Sequence, residues 1–466
     1  MTCREHRGRH RLSLVAKAAV ALIVATAMLP ATVTHAATNA ADNSEYIVVL
    51  RDTAVRDTVI ARQHQRVGVN VDVRYGAALK GYAARLSTAQ AAEIGRDADV
   101  LFVANSHHFR VGPRPPGPPF VNPPCDFPAI YTTCQIATRA IRRIDAHNSS
   151  TRSGDGHGAV PINVAVLDSG VQPSNELNVV GGVDCAADGL NTTDDVEGHG
   201  TFTAGVIGAI DNDHGVVGVA PGARIWSVRV LDANLEADDA QLLCAIDWIT
   251  ATRFDADPTN NIAVANLSLG GPGQDDGACG RRNHDAIHHA ICAAVAAGIT
   301  FVVSAGNDTA PLEGVVPAAY REVLSVTGIA DGDGTWGGLT PEPCYGTADD
   351  APAFFSNYAT DVRQLTHVVA ASAVCVTSLW PSANAPTPEF AVRSGTSFSA
   401  PAGAGVVALC IWSGGCRGLD PQQIVTKIVT DALANSARFR YYGFTGDPFH
   451  PIPGQYFGPL LRASLY

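Results

Sequence analysis

The sequence predicts an α/β protein: a parallel sheet with helices on both faces, preceded by a small α+β unit. Three observations carry that reading. From residue 162 onward, short runs that are apolar throughout, such as "INVAVLD" and "ITFVVSAGN", alternate with segments of helical period. That is the pattern of strands buried between two layers of helices. Ahead of them, residues 45–105 read strand, helix, strand, strand, helix, strand at shorter spacing. Between the two lies "VGPRPPGPPFVNPP", Val111 to Pro124, whose proline and glycine density keeps a chain extended and exposed.

In chain order, Arg4, Arg7, Arg9, Arg11 and Lys17 precede an apolar run from Ala18 to Leu29, followed by the small residues "THAATNA". Basic, apolar and small segments in that order form a secretory signal, expected to span residues 1–36, and its apolar core is short for a membrane span. Residues 37–111 form the next unit. "EYIVVL" reads as a strand, Thr53 to Gln65 as a helix, "VDVRY" and "KGYAARL" as strands, Ser87 to Arg96 as a helix opened by a serine cap, and "VLFVA" as a strand. Such a βαββαβ unit packs two helices on one antiparallel sheet. Residues 112–124 are the linker, open to proteolysis. The main domain is expected over 125–466, with strands "INVAVLD", "IWSVRVLD", "IAVANLSLGG" and "ITFVVSAGN" and helices "DDAQLLCAIDWITATR" and "HDAIHHAICAAVAAG" between them. No later run is long and apolar enough to suggest a membrane span, and no module is read after this domain.

Apolar residues make up 46% of the chain and charged residues 16%, a balance suited to a large core. The net charge of -12 offers no basic face, so nucleic acid is excluded as an expected partner. Beyond Cys3 there are Cys125, Cys134, Cys185, Cys244, Cys279, Cys292, Cys344, Cys375, Cys410 and Cys416. An even set in an exported chain implies up to five disulfides, with Cys125–Cys134 and Cys410–Cys416 as local pairs. No paired CxxC spacing supports a metal centre built on them.

Sites in parallel α/β sheets lie at the carboxyl ends of the strands. Here those ends carry Asp168, Ser268 with Gly270 and Gly271, and Asn307. "EGHGTFTAG" adds His199, and "SGTSFSAP" adds Ser397 in a glycine-led turn before a helix. Nucleophilic acyl transfer needs a hydroxyl, an imidazole to take its proton, and a carboxylate to hold the imidazole. An amide such as that of Asn307, with the Ser397 N–H, supplies donors for the oxyanion. Singly, each residue has a plainer reading: turn former, loop histidine, helix cap, left-handed turn residue. All four plain readings would have to hold together while imitating one site.

The blocks "VAVLDSGVQ", "GHGT", "GVVGVAPGARIWSVRVLD", "NLSLGG", "VVSAGN", "VPAAY", "FSNY" and "SGTSFSAP" resemble, in that order, those of the subtilisin-like serine proteases. The resemblance runs from about Ile144 to near the C-terminus. It implies a seven-stranded parallel sheet and endopeptidase activity on proteins and peptides. Asp168 would orient, His199 act as base and acid, Ser397 as nucleophile and Asn307 as oxyanion donor. It also implies that residues 46 to about 110 form an inhibitory propeptide, the enzyme being made as a self-processing, secreted zymogen and acting as a monomer. Ser268, Leu269 and Gly270 would pair with the substrate backbone. Opposite them the family commonly carries a Gly/Ser-rich strand, where this chain reads "ANLEADDA". Glu236, Asp238 and Asp239 there are either a solvated loop or an acidic rim favouring basic side chains before the cut.

Calcium is implied as a structural cofactor, with Glu176 standing where the family has an aspartate and Asn212 in the loop "AIDNDHGVVG". The sequence departs from the family at Phe202, where a second histidine is usual, and at Phe398, where methionine is common. "VVAASAVC" also replaces a proline-glycine turn. The stretch between Asn307 and Ser397 is long, and "ADGDGTWGGLTPEPCYGTADDAP" reads as an inserted loop stapled by Cys344–Cys375. Two rival functions remain. One is a catalytically silent binding module on the same fold. The other is an α/β-hydrolase esterase, which the GTSFS context of Ser397 and the order Asp, His, Ser oppose.

Overall fold

The computed structural model describes residues 43–113, 135–338, 340–361, 366–383 and 388–466. The chain divides into Met1–Ala41 and Asp42–Tyr466, and only the second unit is described below. The expected signal segment, Cys125 with Cys134, and the linker beyond Pro113 lie outside the described residues.

The first elements are β1 (Ser44–Leu50), α1 (Arg56–Val67), β2 (Val73–Tyr75), β3 (Gly81–Leu86), α2 (Thr88–Ile94) and β4 (Val100–Asn105). The sheet order is β2-β3-β1-β4, antiparallel throughout. Ser87 caps α2 reciprocally with Gln90, as its position before an alanine-rich turn dictates. Helix α1 starts three residues later than the sequence suggested, after the exposed Val55. Strand β1 alternates strictly. Ile47 and Val49 face the main domain, while Val48 and Leu50 face the core formed with α1 and α2.

Next come β5 (His108–Arg110), α3 (Arg139–Arg143), β6 (Asn163–Asp168), β7 (Asn178–Asp184), α4 (His199–Gly208), β8 (Arg224–Arg229), β9 (Glu236–Asp238), α5 (Asp239–Ala251), β10 (Val264–Leu267) and β11 (Gly271–Pro272). Then follow α6 (Ala286–Ala296), β12 (Thr300–Ser304), β13 (Val315–Val316), β14 (Leu324–Ala330), β15 (Ala351–Pro352), β16 (Val368–Ser372), β17 (Val376–Trp380), β18 (Glu389–Arg393), α7 (Ala400–Ser413) and α8 (Pro421–Arg438). The large sheet runs β14-β12-β10-β6-β8-β7, with β15 and β16 both on β14. Seven of its strands are parallel, and the two-residue β15 is antiparallel.

Both faces of that sheet are covered. Val164 and Val166 of β6 pack with α4, α7 and α8, whereas Ala165 and Leu167 pack with α5 and α6. Thr396–Ser413 is the one described segment long and apolar enough to cross a membrane, and 83% of it is buried within the protein. Four disulfides form among the described residues: Cys185–Cys244, Cys279–Cys292, Cys344–Cys375 and Cys410–Cys416.

Candidate active site

The topology delivers Asp168 on the last residue of β6, Ser268 just beyond β10, and Asn307 beyond β12. His199 opens α4, and Ser397 sits in the turn Thr396–Phe398 ahead of α7. His199 Nδ1 lies 2.7 Å and 2.9 Å from the Asp168 carboxylate oxygens, with both side chains buried. Asp168 also accepts from the Ser169 N–H at 2.7 Å. The close approach of α4 to the Asp168 strand requires glycine at position 200, because a Cβ there would lie 2.0 Å from the Gly170 carbonyl oxygen.

The other ring nitrogen, His199 Nε2, is buried and makes no hydrogen bond among the described residues. Ser397 Oγ donates instead to the Ser268 carbonyl oxygen at 3.2 Å, and Ser268 Oγ donates to the Ser397 carbonyl oxygen at 2.7 Å. Thr396 N–H and Oγ1 both donate to Asn307 Oδ1 at 2.8 Å. That fixes which way the amide faces and turns Nδ2 away from Thr396. A side chain added to Gly112 or Gly395 would meet this Nδ2 at 3.2 Å or 3.4 Å. Gly395 has φ 150°, a backbone that disfavours any side chain.

Residues 108–113 of this same chain run through the cleft. Strand β5 pairs antiparallel with β9, and on its other edge Arg110 exchanges both backbone hydrogen bonds with Gly270, at 3.1 Å and 3.0 Å. Val111 N–H donates to the Leu235 carbonyl at 3.1 Å. Phe109 is 1% exposed and belongs to the core containing Leu235, Ala237 and Leu269. A cavity of about 390 Å³ beside Gly112 is lined by Gly270, Asn307, Asp308, Ala310, Val315 and Ser397. The larger cavity of about 830 Å³, against Arg253, Val295 and Arg417, contains none of the constellation.

Gly270 thus meets a backbone strand, Ser268 meets Ser397, and Leu269 is a core side chain. Glu236 lies in β9 rather than a loop, beside His108, whose Nδ1 reaches Asp238 at 3.0 Å and whose Nε2 reaches Glu236 at 3.6 Å. The hydrogen bond to Asp238 raises the His108 imidazole.

Glu176 and Asn212 meet as well: Asn212 Nδ2 donates to Glu176 Oε2 at 3.3 Å. Burial raises the Glu176 carboxyl, and that hydrogen bond opposes the shift. Sequence reasoning missed Gln135, whose Nε2 collects Ile210 O at 2.7 Å, Asn212 Oδ1 at 3.3 Å and His214 O at 3.1 Å. Three oxygens converging beside a buried carboxylate fit a hard cation. Gln135 Oε1 also joins this loop, accepting from the Asn212 N–H at 3.0 Å.

Asp195 was missed too. It accepts from the Glu197, Gly198 and Thr201 N–H groups and from Ser169 Oγ, at 2.7–3.0 Å, and so pins the start of α4. Burial raises its carboxyl. Its only sequence signal was an acidic residue just ahead of a helix.

A sequence model described as "Subtilase family" matches residues 161–445, and the chain belongs to that family. It is 30% identical to M-protease of Shouchella clausii (strain KSM-K16) over 280 residues, 60% of this chain and 61% of that protein. Against the minor extracellular protease Epr of Bacillus subtilis (strain 168) it is 36% identical over 166 residues, 36% of this chain but 23% of Epr. Subtilisin Savinase of Lederbergia lenta matches at 30% over 269 residues, 58% of this chain and 82% of that protein. The chain therefore spans less than two thirds of the first two. Fervidolysin from Fervidobacterium pennivorans, a keratinolytic enzyme related to subtilisin, shares the fold with a TM-score of 0.60 at 21% identity, covering 91% of this chain and 61% of that one.

Proposed function

We propose that the chain is a secreted serine endopeptidase made as a self-processing zymogen. The observation that carries this reading is the path of residues 108–113. They lie as an added strand between β9 and Gly270 and bring Gly112 to Asn307, beside Ser397. Main-chain pairing on both edges is how an extended peptide is held for cleavage.

In the reaction Ser397 Oγ turns from the Ser268 carbonyl to His199 Nε2, which takes its proton as Oγ attacks the scissile carbonyl. Asp168 holds Nδ1–H and stabilises the imidazolium. Asn307 Nδ2 and the Ser397 N–H receive the oxyanion, a donor worth about 10²–10³ in turnover. His199 then protonates the leaving amine, and water, activated by the same imidazole, releases the acyl group.

Residues 37–111 act as the intramolecular inhibitor. Their sheet is docked on α5, where Gly76, Ala77 and Ala78 N–H groups converge on the Asp247 carboxylate at 2.6–3.1 Å. Maturation cuts the chain at or beyond Gly112. Gln135, Glu176, Asn212 and the Ile210 and His214 carbonyls would hold a structural calcium, which ties the segment after the linker to this loop.

The test is the intact mass of the secreted protein beside Ser397→Ala, each with and without a fluorophosphonate. The expected result is a wild type that has lost its N-terminal unit and gained the label, and a variant that keeps the unit and takes none. Equal masses with neither protein labelled would instead establish the silent binding module.

A further inference from the structure

The loop between β14 and β15 concentrates aspartates in a way the peptidase chemistry does not use. Asp331 is 2% exposed. Its Oδ1 accepts from the Asp333 N–H at 3.0 Å and the Gly334 N–H at 2.6 Å. Asp333 Oδ1 accepts from Thr335 N–H at 2.8 Å and Oγ1 at 2.7 Å, and Asp349 Oδ1 accepts from the Gly332 N–H at 2.7 Å. Each carboxylate thus spends one oxygen on shaping the loop. Of the others, Asp331 Oδ2 and Asp349 Oδ2 are buried with no hydrogen bond.

Two further observations place the three groups around one volume. Asp331, Asp333 and Asp349 each offer an oxygen within 4.8 Å of the others. Calcium–oxygen distances of about 2.3–2.6 Å let one ion bridge oxygens up to about 5 Å apart. Gly338 leaves the space open, since a Cβ there would lie 2.2 Å from Asp333 Oδ2 and 2.5 Å from Asp349 Oδ2.

The nearby positive charge is largely engaged. Arg143 contacts Asp331 Oδ2 at 3.5 Å but is held by Asp350 at 2.6 Å and by the Tyr442 and Gly443 carbonyls. Arg139 and Arg142 donate to the Gly332 and Asp333 carbonyls. Hard carboxylate oxygens on a preformed loop are calcium ligands rather than ligands for a soft metal.

We propose that Asp331, Asp333 and Asp349 hold a calcium ion in the inserted loop, separate from the ion proposed at Gln135, Glu176 and Asn212. The ion fastens the loop to the end of β14.

The full chain carrying Ser397→Ala, which removes self-cleavage, is titrated with calcium by calorimetry and with terbium by luminescence excited through tryptophan. Trp336 stands in the same loop and sensitises terbium bound there. Asp333→Asn and Asp349→Asn keep the Oδ1 acceptor and replace the unspent oxygen, so each is expected to weaken one class of site at least tenfold. Gly338→Ala does the same by filling the space, whereas Glu176→Gln leaves this site intact. Retention of the parent stoichiometry and affinity by both Asn variants overturns the proposal. If either variant fails to fold, Trp336→Phe decides: loss of sensitised emission supports the site, and unchanged emission overturns it.

Discussion

At the residue scale, the departures at Phe202 and Phe398 form a pair. Their ring centroids lie 4.4 Å apart, and Phe398 lies 5.2 Å from the His199 ring, so Phe398 packs beside the imidazole with Phe202 behind it. Both are almost fully buried, at 0% and 2% exposure. Phe398→Ala is expected to cost about 3–5 kcal/mol, because burial is lost and a cavity opens. Phe398→Met fills similar volume and should cost less than about 1.5 kcal/mol. Phe202→His, restoring the residue common elsewhere in the family, buries a polar ring beside Phe398 and should cost about 1–3 kcal/mol. Denaturant unfolding of these variants in the Ser397→Ala chain checks the order; a Met variant as damaged as the Ala one would refute the packing argument. Neither side chain has a group that transfers a proton, which is why the sequence marked both as departures without exposing their contact.

At the element scale, the junction of β5 and β9 is built from ionisable groups. His107 Nδ1 lies 3.1 Å from Asp239 Oδ2 at the start of α5. The Asp239 hydrogen bond raises the His107 imidazole, while burial pushes Asp239 up to about 6, more than His107 opposes. Both shifts have the same sign, so the folded state binds more protons here than the unfolded one. The His107 contribution is complete below its free value near 6.5 and is lost as pH rises through its raised folded-state value. The Asp239 contribution falls between about 4, its free value, and about 6. The melting temperature of the Ser397→Ala chain should therefore fall from pH 5 to pH 8, and less steeply in His107→Gln; parallel slopes would exclude this pair as the cause. The sequence displayed β9 only as acidic residues in "ANLEADDA", equally compatible with a loop. Its strand character comes from backbone pairing with β5, a contact between distant segments that local propensity does not encode.

At the scale of the whole molecule, what was legible followed periodicity. The central strands β6, β10 and β12 are mostly apolar because both faces are covered, and the small unit alternates because each face of its sheet meets a different core. Gln135 and Asp195 stayed hidden because their roles arise from backbone groups brought together by tertiary folding. The disulfides divide in the same way. Cys410–Cys416 closes a separation of 6 residues between the last turn of α7 and the segment just past it, and its proximity showed in the sequence. Cys185–Cys244 spans 59 residues and joins the end of β7 to α5, helping to fix the wall on which β9 and the docked strand rest. In the chain-entropy account, closing the longer loop restrains the unfolded chain by about 4 kcal/mol and the shorter one by about 2 kcal/mol. Replacing Cys185 and Cys244 together by alanine should thus destabilise the Ser397→Ala chain about twice as much as replacing Cys410 and Cys416. Denaturant midpoints and slopes of the two double variants provide the comparison. If the short loop proves the costlier to open, packing of the buried Cys410 and Cys416 side chains in the core, rather than restraint of the unfolded chain, governs what these bonds contribute.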